Sequence, residues 1–108
     1  LSIGFAYEKG LGIPKDHTKA AYWYRKAAEQ GDAPAQWSIG TMYFTGTTSA
    51  KDLVQAYAWW SVAARQGFKH TKYNKGIAKE LMTPAQIAEA QKLSSKYWEK
   101  YVVPFQKD

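Results

Sequence analysis

The sequence predicts an all-α fold made of antiparallel helix pairs stacked side by side. Three observations carry that reading. Sliding the chain by 36 residues superposes residues 1–31 on 37–67 without a gap, with 13 identities. Self-similarity at a fixed period of this size marks a repeat array whose units bury their apolar faces against one another. The identical residues are mostly small or aromatic, as close-packed helices require, and no apolar–polar alternation is long enough for a strand. Helix-starting and helix-stopping residues also recur at matching places.

The matches run in order along both units. Ser2, Ile3 and Gly4 fall on Ser38, Ile39 and Gly40, Tyr7 on Tyr43, and Gly10 on Gly46. Lys15 and Asp16 fall on Lys51 and Asp52, Ala20 on Ala56, and Trp23 on Trp59. Ala27 and Ala28 fall on Ala63 and Ala64, and Gln30 and Gly31 on Gln66 and Gly67. Gly4 and Gly40 lack a side chain, so a neighbouring helix can come close despite the helix-propensity cost of glycine. Ala20, Ala27, Ala56 and Ala63 play the same small-residue part on the second helices, with Tyr43 and Trp59 filling the space between.

The first helix runs from Leu1 to about Glu8 and is cut short at its start. A loop with Gly10, Gly12 and Pro14 leads to a second helix over about His17–Gln30, with Asp16 as its N-cap. Unit two repeats this over about Ala33–Phe44 and Leu53–Gln66, joined by a Gly/Thr/Ser loop after Gly46. Asp52 is its cap, and Gln55 stands where it would complete a capping box. Gly31 and Gly67 end the second helices. A further shift of 36 reaches Gly76, with Leu1, Trp37 and Tyr73 in one apolar column. A third, tighter hairpin then covers about His70–Leu81 and Pro84–Tyr101. Its last helix starts at Thr83-Pro84-Ala85-Gln86, a capping hydroxyl followed by Pro at the first helical position. Pro104 ends regular structure. The chain therefore reads as one domain, 1–108: a truncated repeat at 1–31, a second at 32–67, a divergent or terminal hairpin at 68–101, and a loose tail at 102–108. Leu1 in place of Met and the short first helix suggest a piece of a longer array.

The stretch from Gly10-Leu11-Gly12-Ile13-Pro14-Lys15-Asp16 through Lys19-Ala20-Ala21-Tyr22-Trp23-Tyr24-Arg25-Lys26-Ala27-Ala28-Glu29-Gln30-Gly31 resembles the Sel-one-like repeat (SLR). The resemblance covers residues 1–67 strongly and 68–101 weakly. It implies a tetratricopeptide-type, right-handed superhelical solenoid acting as a protein–protein adaptor, with the first helices lining a concave face. It also implies a protein or peptide partner, and a chain that is a monomer or part of a longer repeat array. The pattern Thr83–Ala90 is similar to bacterial members, which points to the periplasm or export.

Helical geometry proposes which residues face that concavity. Trp37, Thr41 and Phe44 share a stripe in unit two, beside the packing residues Ile39, Gly40 and Tyr43. The same stripe gives Leu1, Phe5 and Glu8 in unit one, and Tyr73, Ile77 and Glu80 in unit three. Partner-binding residues are thus Phe5, Trp37, Thr41, Phe44, Tyr73 and Ile77. Aromatics at this spacing serve either as binding anchors or as packing between units. The last helix offers Lys92, Ser95, Lys96, Glu99 and Lys100 to water, as a terminal unit should.

Composition narrows the chemistry. There is no Cys among 108 residues, which excludes disulfides, thiolate metal sites and a cysteine nucleophile. His17 and His70 are the only imidazoles, and neither has metal-spaced partners. No cofactor is expected, and Gly10-Leu11-Gly12 lacks the rest of a phosphate-cradling motif. No strand–turn–helix context supports a serine nucleophile, so no enzyme is expected. No apolar run approaches the roughly 20 residues of a membrane span. The net charge is +6, and residues 69–108 hold eight Lys against four acids. Lys72, Lys75 and Lys79, with Lys69 nearby, share a helical face. That face either contacts nucleic acid or anionic lipid, or is simply solvated. The second is favoured, because Arg and interleaved aromatics are missing.

Overall fold

The computed structural model describes residues 3–46 and 51–106. Six helices follow one another: α1 (Ile3–Lys9), α2 (His17–Ala28), α3 (Ala33–Thr45), α4 (Leu53–Arg65), α5 (Thr71–Glu80) and α6 (Pro84–Tyr101). A 3-10 turn at Val103–Phe105 closes the described chain, and no strand occurs among the described residues. Each helix end lies within a residue or two of its expected place. Leu1, Ser2 and the loop at 47–50 lie outside the described residues. The molecule measures 43 × 37 × 20 Å, and the short dimension is about two helix diameters.

Local chemistry starts the helices. Asp16 accepts from the Lys19 amide at 3.1 Å, Asp32 from Ala35 at 3.0 Å, and Asp52 from Gln55 at 3.1 Å. Each bond satisfies a backbone N–H that the helix itself leaves free. Thr83 and Gln86 form the expected capping box in both directions. Gln55 does not form one: its side-chain oxygen accepts from the Tyr97 hydroxyl at 2.7 Å and so holds α6 instead. The repeat extends to the backbone. The Asp16 amide donates to Tyr7 O and the Asp52 amide to Tyr43 O, both at 2.9 Å. Gly31 and Gly67 turn the chain out of α2 and α4 with φ of 90° and 92°, a region closed to most side chains.

The central contact is helix on helix across a glycine. A Cβ on Gly40 would lie 2.6 Å from Trp60 Cδ1 and 3.1 Å from Ala56 O. A Cβ on Gly4 would lie 2.9 Å from Tyr24 Cδ1 and 3.2 Å from Ala20 O. The two sites correspond position for position at the 36-residue shift. Trp60 also donates its indole N–H to Trp37 O at 3.1 Å, giving the buried ring its polar partner. Trp59 fills the core with Ala28, Ile39 and Met42, as expected, and also reaches α6. It is fully buried and stacks on Tyr97 (4.4 Å between centroids) and Tyr101 (5.6 Å) of α6.

A second link ties the units end to end. Gln36 is fully buried, and its amide donates to Ala28 O at 3.1 Å. Its oxygen accepts from Gln66 at 3.0 Å, and Gln66 also donates to Gly31 O at 2.9 Å. The repeated Gln-Gly pair at the ends of α2 and α4 thus includes a bridge between repeats.

The third pair is not a hairpin of the same kind. α5 and α6 each pack on α4 rather than along one another. Ala78 and Met82 from one side, and Ile87 and Ala90 from the other, reach the cluster around Ala56, Tyr57 and Trp60. Farther along α6, the Arg65 guanidinium sits 4.0 Å over the Trp98 ring, and Trp98 packs with Val62 and Val102. The expected loose tail is corrected over its first residues: Val102 is buried, and Tyr101 and Phe105 come against Gly31. Gly76 is corrected too. A Cβ there would meet nothing within 4 Å, because α6 lies elsewhere. The five polar residues named on α6 are all exposed.

Gly40→Val should therefore destabilise the chain by about 2–4 kcal/mol through overpacking and helix propensity. Gly76→Ala should instead stabilise it by about 0.5–1 kcal/mol. Urea melts of the two variants check this; equal shifts, or an unchanged midpoint for Gly40→Val, would contradict the packing.

Candidate functional site

A groove of ≈ 760 Å³ is walled by α1, α2 and α3. Phe5 comes from α1, Trp23 and Ala27 from α2, Pro34 and Trp37 from α3, and Phe68 from the turn after α4. Its position follows from the repeat. In unit two, Gln36 from the first turns of α3 meets Gln66 at the end of α4. Gln30, the unit-one counterpart of Gln66, lies on the groove wall instead.

Aromatic packing shapes the groove. Trp37 is half-buried, with Phe68 edge-on at 6.0 Å and His70 at 6.3 Å. Its indole N–H is buried without a hydrogen-bond partner. Trp23 is half-buried, and Lys26 Nζ lies 5.7 Å from its ring and 5.2 Å from that of Tyr22. Lys26 and Asp32 put one charge of each sign on the lining. Tyr24 lines the floor and donates its hydroxyl to Glu8 at 3.0 Å. Burial, with Glu8 adding to it, pushes the Tyr24 hydroxyl well above its ordinary value. Burial also raises Tyr97, although the Gln55 hydrogen bond opposes the shift.

The six residues proposed for the partner face do not form one surface. Phe5 and Trp37 line the groove. Thr41 turns its hydroxyl back to Trp37 O at 2.9 Å. Phe44 packs on Trp60 at 5.4 Å, with Lys51 Nζ 5.1 Å over its ring. Tyr73, 78% exposed, and Ile77 lie on a separate, shallower face of α5 with Lys69, Gly76 and Glu80. Sequence reasoning placed Trp23 only in the repeat motif and missed Tyr24 and Phe68. The sequence shows only that Trp23 matches Trp59; that α6 covers Trp59 is visible in the structure alone. The lysine row is broken as well. Lys75 Nζ lies 5.2 Å over the Tyr57 ring, and burial, then Lys79, lowers its pKa. The Lys72 side chain lies outside the described residues. Among the described residues, no helix is long and apolar enough to cross a membrane. No three metal-ligating side chains come together among them either.

Stacked helical hairpins with apolar exposed faces define a helical-repeat solenoid. The Sel1 repeat model matches residues 1–32 and 33–68, and the chain belongs to the Sel1 repeat family. Two solved structures share its fold. One is the crystal structure of c5321, a protective antigen present in uropathogenic Escherichia coli strains displaying an SLR fold. Its TM-score is 0.89 at 38% identity, over 95% of this chain and 22% of that one. The other is a Sel1 repeat protein from Oxalobacter formigenes, with a TM-score of 0.69 at 32% identity, over 88% of this chain and 41% of that one. The chain spans less than half the length of either. No curated protein matches it. Sel1 repeat proteins are generally protein-interaction scaffolds without enzymatic activity.

The raised Tyr24 and Tyr97 hydroxyls have a consequence for stability. As pH rises through about 10, the unfolded chain loses the protons of Tyr24 and Tyr97 before the folded chain does. Stability should therefore fall above that pH. Tyr24→Phe combined with Tyr97→Phe should flatten the fall in melting temperature between about pH 9.5 and 11.5; an unaltered slope would refute the assignment.

Proposed function

We propose that this chain is a non-enzymatic scaffold that takes a peptide or protein segment into the groove between α1, α2 and α3. The observation that carries the reading is the wall itself. Phe5, Trp23, Trp37 and Phe68 converge on one concavity of ≈ 760 Å³, a volume within the range of about 300–1,000 Å³ typical of binding pockets. Aromatic side chains of this kind supply large contact area at low entropic cost and dominate binding energetics. The charges of Lys26 and Asp32 on the same wall suit the polar groups of a backbone or a mixed-charge segment. Nucleic acid or anionic lipid is the alternative raised by the Lys-rich third unit. Lys75, turned onto Tyr57, counts against it.

Peptides selected from a random display library on the wild-type chain provide the test. They should lose affinity tenfold or more on Trp23→Ala and on Trp37→Ala, while Lys92→Ala on α6 leaves them unchanged. Trp23→Ala matters most, since the Trp37 ring also packs on Phe68 and His70 and so serves the fold. Selected peptides that bind both tryptophan variants as tightly as wild type would sink the groove assignment.

A further inference from the structure

A second, smaller cavity of ≈ 240 Å³ lies between α2 and α3 and shares no lining residue with the groove. Ala21 and the buried Ile39 and Met42 supply its apolar part. Its polar part is Thr18, Tyr22, Arg25 and Tyr43. Each of these can donate a hydrogen bond, and no carboxylate lines the cavity. Arg25 is half-buried. Its Nη2 donates to the Tyr43 hydroxyl at 3.0 Å, and its guanidinium carbon lies 5.7 Å from the centre of the Trp59 ring. Both of those partners are neutral. Among the described residues no carboxylate pairs with it. A guanidinium has five N–H donors, and the Tyr43 hydroxyl, accepting from Arg25, keeps its own hydrogen to give. The packing of a unit does not call for this cation. At the 36-residue shift Arg25 falls on Ser61, Tyr22 on Ala58 and Thr18 on Val54.

We infer that this cavity binds a carboxylate carried on a compact apolar group. The charge follows from Arg25: a cation held half out of water is stabilised by a counter-charge, and the protein supplies none. The shape of the guanidinium favours a carboxylate, whose two oxygens match its planar fork. The Tyr43 hydroxyl adds a donor beside the fork, so the anion meets donors and no competing acid. The apolar part of the ligand lies on Ala21, Ile39 and Met42. Its size follows from the volume: a cavity of roughly 150 Å³ holds benzene, so ≈ 240 Å³ takes one ring or branched aliphatic group with its carboxylate. A free small acid and the last residue of a peptide chain both present this chemistry. The inference does not rest on the groove reading, since the residues and the ligand chemistry are different.

The probe is hydrocinnamate, a phenyl ring on a short chain ending in a carboxylate. Titrated into the 15N-labelled chain, it should shift the amides of Ala21, Tyr22 and Tyr43 and the side-chain Nε–H of Arg25. The shifts should saturate with a Kd below about 5 mM, as suits so small a ligand. Hydrocinnamide has the same shape without the charge and should bind about tenfold more weakly or worse. Arg25→Gln should weaken hydrocinnamate by about tenfold or more. Arg25→Lys keeps the charge but loses the fork, and should weaken it too. Arg25 also touches Trp59, so Tyr43→Phe provides a variant that leaves the cation in place; it should cost about threefold in affinity. The peptide Gly-Gly-Phe, compared with its C-terminal amide, tells the two sources apart. Binding by the free-ended peptide assigns the site to chain ends, and binding by hydrocinnamate without the peptide assigns it to small free acids. The inference is overturned by no saturable shift, by hydrocinnamide binding as tightly as the acid, by shifts spread over the lysines of α6 in place of the cavity, or by an Arg25→Gln variant that binds like wild type. Library peptides from the groove experiment should bind Arg25→Gln normally, so either assignment can fail without the other.

Discussion

Everything in this fold depends on how closely the first helix of a unit approaches the second. Glycine at 4 and 40 removes the side chain that would hold the helices apart, and Tyr24 or Trp60 takes the vacated space. A glycine inside a helix costs about 1 kcal/mol relative to alanine. Dense aromatic packing offsets that cost, since close contact is what gives dispersion its collective strength. The hydrogen bond from Trp60 to Trp37 O fixes the ring across the gap. The same carbonyl accepts from Thr41, so one point on α3 organises both the packing and a wall of the groove.

Stacking leaves an end that must be finished. α6 finishes it by leaving the repeat pattern: it lies along α4 and turns Tyr97 and Tyr101 onto Trp59. Its outward residues, among them Lys92, Lys96 and Lys100, are exposed, the polar exterior that a terminal element needs. This choice uncovers α5. One arrangement of three helices thus explains both the cover over Trp59 and an open face beside Tyr73.

Much of this was legible in the residues because it is local. Asp16, Asp52 and Thr83 cap the helices they precede, and the 36-residue shift carries the unit boundaries. What escaped depends on distant partners. Matching by identity drew attention to the Trp23–Trp59 pair, whereas the glycine contact uses the position one residue later, where Tyr24 and Trp60 differ. Gln55 has the spacing of a capping box, yet Tyr97, 42 residues away, takes its oxygen. Gly76 matched its column by type, but its environment depends on where α6 goes. The binding stripe divided for the same reason. Helical spacing places Trp37, Thr41 and Phe44 on one side of α3, but not which neighbour reaches each of them.

The return of the chain to Gly31 bears on how the molecule comes apart. In a simple stack each unit touches only the next, so ends fray first and the middle follows. Here Tyr101 and Phe105, at the far end of the described chain, rest on the turn that closes unit one. α6 runs along α4 to get there. A linear array has in this way been given a buckle, and its parts open together or not at all.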